Sequence, residues 1–292
     1  MTVTEALEQI IRRRQAEGVA AAWLSAANRA VLGKRVAVGS RPVPPLPEVQ
    51  SRKPAPPVTP TPPVLTAPPE AEVPDSSAAP DSAPIAERPN MTGMSWEELV
   101  TQCRQCQACP LGGTRRNIVI EAGCRQAPLM FIGEGPGADE DAQGVPFVGR
   151  AGQLLTKMIA AIGRDRQSDD PAHAVYIANI VKCRPPRNRV PLPDEAAACI
   201  GYLQRQIELV RPKVIVLLGA SALKYLCNKQ SIVRWRGNWI DYAGIPVMPT
   251  FHPAYVLRFE SFPEQLITVK RQVWNDLKMV MARLKSIEEG ER

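Results

Sequence analysis

Aromatic residues are scarce, 5% of 292 positions, and none occurs between Trp23 and Trp96. Over residues 41–90 the chain carries 16 of its 30 prolines. A stretch so poor in large apolar side chains cannot bury enough surface to offset the entropy of ordering itself. Composition therefore predicts a disordered, partly polyproline-II linker over residues 37–91. It leaves a helical segment at 1–36 and one domain at 92–292, long enough for a well-filled core. Long apolar runs are also missing, which argues against a transmembrane helix. The opening residues lack the charged, apolar and small-residue order of an export signal. Glu5, Glu8 and Glu17 argue against an organelle transit peptide. A cytoplasmic protein is expected, and its seven cysteines point to metal or catalysis rather than disulfides.

Histidine is rare too, with two in the chain. Of these, His252 lies in "TFHPAYVLR", beside a proline that fixes the backbone. A Walker loop is absent: "GEGPGADEDAQGVPFVGRAG" is rich in glycine but no Gly-Lys-Ser/Thr follows it. The formal charge of +7 is modest. It permits binding to a polyanion and suits ordinary surface solvation equally well. Lys182, Arg184, Arg187 and Arg189 concentrate part of it around Pro185 and Pro186, as in a rigid basic loop.

The pattern that is present is alternation. Apolar strands are expected in "PLMFIGEG", "AVYIANIVKC", "KVIVLLG" and "GIPVMPTFHP". Helices are expected in "SWEELVTQC", with Ser95 and Glu98 at capping-box spacing, and in "GRAGQLLTKMIAAIG". Two more follow in "PDEAAACIGYLQRQIELV" and "ASALKYLC", and an amphipathic helix closes the domain over 263–287. Residues 3–32 read as a further helix, interrupted at Gly18. Apolar strands alternating with helices predict a three-layer α/β/α sandwich on a mostly parallel, four-stranded sheet. Sites in such folds lie at the carboxyl ends of the strands. That selects the loops 133–149, 179–193, 219–222 and 252–258.

Cysteines form the second pattern. Cys103, Cys106 and Cys109 make two overlapping Cys-x2-Cys clips, and Cys183 and Cys199 lie beyond the second strand. Four thiolates from these elements suit zinc or a 4Fe–4S cluster equally, and spacing does not choose between the clips. Cys124 and Cys227 lie on apolar segments and read as core. Asn179, a polar residue in an apolar strand, must fasten a loop or read a ligand's hydrogen-bonding edge.

Together, "GEGPGADEDAQGVPFVGRAGQLL", "NIVKCRPPRNRVPLPDEAAAC", "LLGASA" and "HPAYVLR" resemble the family 4 uracil-DNA glycosylases, the iron–sulfur branch of that superfamily. The likeness covers about residues 97–285 and leaves out 1–90. It implies hydrolysis of the N-glycosidic bond of deoxyuridine flipped out of DNA, leaving an abasic site. It implies a 4Fe–4S cluster on Cys106, Cys109, Cys183 and Cys199, with Cys103 an extra thiol. His252 is similar to the histidine that stabilises the departing uracil anion at O2, Phe147 to the ring that stacks on it, and Asn179 to the amide pairing with O4 and N3. Glu134 matches the glutamate beside the sugar. Gly135 stands where better-known relatives place an aspartate, so no conventional general base is implied. Glu140 resembles the residue crowding the uracil C5 edge. Arg184, Arg187, Asn188 and Arg189 are expected on DNA, with Val256 or Leu257 wedged into the gap and Arg258 on a phosphate. "RNRVPLPDE" lacks the histidine with which a related branch traps uracil covalently, so turnover is expected. A monomer is expected, with residues 1–36 as a tether to a repair or replication protein. The competing reading is an iron–sulfur or zinc-stabilised DNA-binding scaffold without catalysis.

Overall fold

A computed structural model of the chain describes residues 91–290. The expected helix at 3–32 and the linker up to residue 90 lie outside the described residues. The first helix, α1 (Trp96–Gln105), begins with the anticipated capping box: Ser95 Oγ accepts the Glu98 N–H, and the Glu98 carboxylate accepts the Ser95 N–H at 2.7 Å. A 3₁₀ turn (Pro110–Gly113) follows and carries the chain to β1 (Ala122–Gly123) and β2 (Leu129–Gly133). Then come α2 (Ala138–Gln143), α3 (Arg150–Ala161), β3 (Tyr176–Asn179) and α4 (Pro193–Val210). After β4 (Val214–Leu218) the order is α5 (Ala220–Cys227), α6 (Ile232–Trp235), β5 (Ile240–Tyr242), β6 (Ile245–Thr250), α7 (Pro253–Leu257) and α8 (Pro263–Gly290).

The sheet runs β1-β3-β2-β4-β6-β5. Its inner four strands are the four expected from sequence, and all pair in parallel. Two short antiparallel strands, β1 and β5, extend it at either edge. Alternate residues of the inner strands enter two separate cores. Met130, Ile132, Ile215 and Leu217 pack with Leu99 of α1 and Tyr202 and Leu203 of α4. Leu129, Phe131, Val214 and Val216 pack with Leu155 and Ile159 of α3 and Val273 and Leu277 of α8. Strands buried on both faces lose the usual in–out alternation, which is why they read as continuous apolar runs.

The chain moves from β2 outward to β3, then crosses back to place β4 on the other side of β2. The crevice at such a reversal lies between the loops after β2 and β4. The loop after β2 contains a short helix, α2, whose Glu140 side chain turns back to accept the Gly137 N–H. No helix among the described residues is long and apolar enough to cross a membrane.

Candidate active site and cysteine cavity

β2 ends at Gly133, and a Cβ there would stand 2.5 Å from both Asn179 Oδ1 and Phe147 Cζ. Only a residue without a side chain lets the amide and the ring approach the strand end this closely. Asn179 is buried at the end of β3, and its Oδ1 has no hydrogen-bond partner. An orphaned buried acceptor costs about 1–3 kcal/mol and calls for an explanation.

Phe147 sits at φ +56°, a backbone region that is strained for a bulky residue. Two clamps hold it there. The Arg166 guanidinium donates to the carbonyls of Phe147 (2.6 Å) and Pro146 (2.8 Å). Glu140 Oε1 accepts the N–H groups of Val148 and Gly149, both at 2.9 Å. Glu140 was expected at the uracil C5 edge. Its carboxylate accepts three backbone N–H groups, and so also shapes the turn that carries Phe147.

His252 caps α7: its Nδ1 accepts the Ala254 N–H at 3.1 Å. An Nδ1 that accepts leaves the proton of a neutral imidazole on Nε2. Burial pushes the His252 pKa down to about 4, with Glu140 opposing and Arg258 assisting. At neutral pH the ring is therefore an uncharged Nε2–H donor. Its centroid lies 5.6 Å from that of Phe147. Beneath it, Gly219 has φ +90°, and a Cβ there would come within 3.0 Å of His252 Cβ. The "LLGASA" glycine thus serves both a left-handed turn and a close approach.

Glu134 follows β2 at the reversal of strand order, where Ser221 Oγ of α5 donates to its carboxylate. Burial raises the Glu134 pKa, while the Ser221 bond and the charge of Arg258 pull it back. Gly135 packs against Val181, whose Cγ2 would lie 2.7 Å from an added Cβ. Ser221 and Arg166 were missed in the sequence. Ser221 carried a faint signal, being a hydroxyl just past a glycine at a strand end, but nothing local marks Arg166.

The DNA-contact candidates divide. Arg187 and Asn188 are exposed at φ +56° and +57° beyond β3, and Asn188 Oδ1 accepts from Arg184 Nε at 2.7 Å. Arg189 instead grips buried Glu195 with both guanidinium nitrogens, at 2.6 and 2.8 Å, and so staples the loop to α4. On α7, Val256 is 2% exposed and belongs to the core, which removes it as a wedge. Leu257 is half-buried and Arg258 exposed at the cleft mouth.

Across the sheet from α3, Cys103, Cys106, Cys109, Cys183 and Cys199 line one small cavity together with Arg115, Lys182 and Tyr202. All five cysteines border this cavity, so Cys103 stands with the other four rather than apart. Arg115 donates to Cys183 Sγ, and the Lys182 N–H to Cys199 Sγ, each at 3.3 Å. Burial pushes up the thiols of Cys109, Cys183 and Cys199, and that of Cys103 to about 12. Thiols so reluctant to ionise alone become ligands when a cation offsets their charge. Among the described residues no three His, Cys, Asp or Glu already form a metal-ligating group. A set of thiol donors alone fits a thiophilic metal. Lys182, fully buried, donates from Nζ to the Asn179 carbonyl (2.7 Å) and Gln206 Oε1 (2.6 Å), which links this cavity to the cleft.

This combination of a strand-end amide, a clamped ring and a neutral imidazole over a parallel sheet matches a known group. The family model of the uracil DNA glycosylase superfamily aligns with residues 120–278. The chain belongs to the uracil DNA glycosylase superfamily. Similar members include a type-4 uracil-DNA glycosylase of Thermotoga maritima, 49% identical over 168 residues, covering 56% of this chain and 84% of that protein. A type-4 enzyme of Archaeoglobus fulgidus is 41% identical over 172 residues, covering 56% and 83%. One from Saccharolobus solfataricus is 46% identical over 169 residues, covering 54% and 76%. Within this superfamily domain, the aligned span holds the cleft residues, while the Cys103–Cys109 clips precede it.

Proposed function

We propose that the chain is a type-4 uracil-DNA glycosylase, which releases uracil from DNA by hydrolysing the N-glycosidic bond. The observation that carries this reading is the orphaned Asn179 Oδ1, buried beside Phe147, whose ring in turn lies 5.6 Å from that of His252. Uracil presents an N3–H donor beside an O4 acceptor, the complement of a carboxamide. Cytosine presents the reverse pattern, and its N3 would face Oδ1 without a proton. A site with a buried polar partner rejects the mismatched base strongly. The base must leave the stack, and Phe147 offers the face on which it lies.

As the C1′–N1 bond breaks, its electron pair moves onto the base and spreads to O2. His252 donates from Nε2 to that oxygen, which stabilises the anion without transferring a charge of its own. A water oxygen adds to C1′ and its proton passes to solvent, while the departing uracil anion takes up one proton from solvent. Glu134, oriented by Ser221, is the carboxylate nearest the reacting sugar in this reading. Leu257 fills the vacated position, and Arg184, Arg187, Asn188 and Arg258 contact the backbone.

A 4Fe–4S cluster would be held by Cys106, Cys109, Cys183 and Cys199, with Cys103 as a fifth thiol at the same cavity. When bound, such a group would cross-link the segment just after α1, the segment after β3 and α4. Lys182 and Arg115 offset the charge of the thiolates. Iron and sulfide analysis of the purified protein, with a broad absorption near roughly 400 nm, separates iron–sulfur from zinc.

The experiment is uracil release from an oligonucleotide with one deoxyuridine, without added Mg²⁺. Release with an abasic product is expected. Tight binding with no release, at any enzyme excess, would return the chain to the scaffold reading.

A further inference from the structure

A second groove, lined in part by Leu257, opens between α3, α7 and α8, with a volume of about 210 Å³. Arg150, Gln153 and Lys157 line it from α3, Leu257 and Glu260 from α7 and the residues just after it, and Lys270 from α8. Positions 150, 153 and 157 are spaced i, i+3 and i+7 and so share one helix face. Lys270 faces them from another element. Three cations thus converge against a single carboxylate. That carboxylate, Glu260, is held by Arg150 at 2.6 Å. Among the described residues, neither Lys157 nor Lys270 has a carboxylate partner. Cations gathered with so little counter-charge repel one another unless an anion joins them.

We infer that this groove binds the phosphate backbone of DNA flanking the flipped nucleotide, through Lys157, Lys270 and Arg150. The inference rests on the glycosylase reading, because that reading places the gap in the stack at Leu257, which lines the groove. A strand running past Leu257 carries its next phosphates over the three cations. The basic loop at 184–189 and Arg258 serve the strand on the cleft side. The groove therefore extends the backbone track to a second face of α7. A phosphate arriving there also competes for Arg150, whose planar fork suits phosphate as well as carboxylate.

The test uses the full chain and a double substitution, Lys157→Gln with Lys270→Gln. Both residues are exposed, so folding is checked by melting temperature alone. Affinity for a labelled duplex containing one deoxyuridine is measured over a range of NaCl concentrations. Each lost phosphate contact lowers the slope of log K against log salt by about 0.9. The double variant should therefore lose roughly 1–2 from that slope and about tenfold in affinity at low salt. Glu260→Gln, which frees Arg150, should tighten binding. As a control, Lys285→Gln, on the far end of α8, should leave the slope alone. An unchanged slope and affinity in the double variant would overturn the inference. So would inorganic phosphate binding that depends on Lys157 and Lys270 without any change in the DNA slope, since that outcome assigns a small-anion site. Uracil release by the unmodified chain is followed alongside. Its absence would sink the glycosylase reading while the salt slope still reports on the groove.

Discussion

His252 shows how one backbone bond fixes a side chain's chemistry. Because Nδ1 is occupied by the Ala254 N–H, the ring can act only through Nε2. Its pKa of about 4 means the imidazole is neutral above that pH and becomes charged only below it. Single-turnover base release should thus show no inflection near the ordinary histidine value of about 6.5. An imidazolium donor would instead make the rate climb as pH falls through that range. Replacing His252 with alanine should lower the rate constant by about 10²–10³, the usual loss for one donor to a developing anion. Phe147 depends on neighbours distant in sequence. Arg166→Leu removes the donors to the Phe147 and Pro146 carbonyls, and should raise KM for the deoxyuridine substrate roughly tenfold, at about 0.7 kcal/mol for each of the two lost hydrogen bonds. An unchanged KM would mean that the turn holds itself. Asn179, Phe147 and His252 were legible in the sequence because each breaks its local pattern or belongs to a motif. Arg166 was not, since its partners lie about 20 residues away and no periodicity connects them.

At the scale of elements, helix phase and loop pairing decide what composition leaves open. Val256 and Leu257 are adjacent apolar residues, and only the orientation of α7 against the core separates them. Val256→Ala should destabilise the fold by roughly 1–3 kcal/mol, as cavity-forming core changes do. Leu257→Ala should leave the melting temperature nearly unchanged and weaken retention of the flipped nucleotide. A reversal of these two results would rotate the helix by about 100°, one residue's worth of phase. Arg187 and Arg189 looked equivalent in the basic loop. Glu195, six residues on, holds Arg189 and leaves Arg187 exposed. The edge strands β1 and β5, two and three residues long, were invisible because so short a run carries no usable period.

Over the whole domain, the strand order does the assembly. Crossing back from β3 to β4 brings Ser221 to Glu134, and the parallel pairing of β2 and β3 sets Gly133 beside Asn179. The inner strands and most helices were readable from alternation and capping residues, since local and global preferences agree there. The gathering of five cysteines from α1, the turn after it, the segment after β3 and α4 around one cavity was half readable, because spacing shows a clip but not a cavity. If a metal staples these elements, Cys199→Ser should lower iron content and melting temperature together. Loss of one without the other would separate ligation from packing. A chain beginning at residue 91 should retain base release on short oligonucleotides, because every cleft residue lies beyond that point. A large loss would give the preceding residues a catalytic part.

The most direct measurement compares release of uracil and of cytosine by the unmodified chain and by Asn179→Asp. An aspartate keeps the size of the amide but removes the donor to O4. The account predicts a fall of at least about 10² in uracil release, with the preference for uracil over cytosine largely erased. An Asn179→Asp chain that still releases uracil at the original rate, and still refuses cytosine, would contradict it.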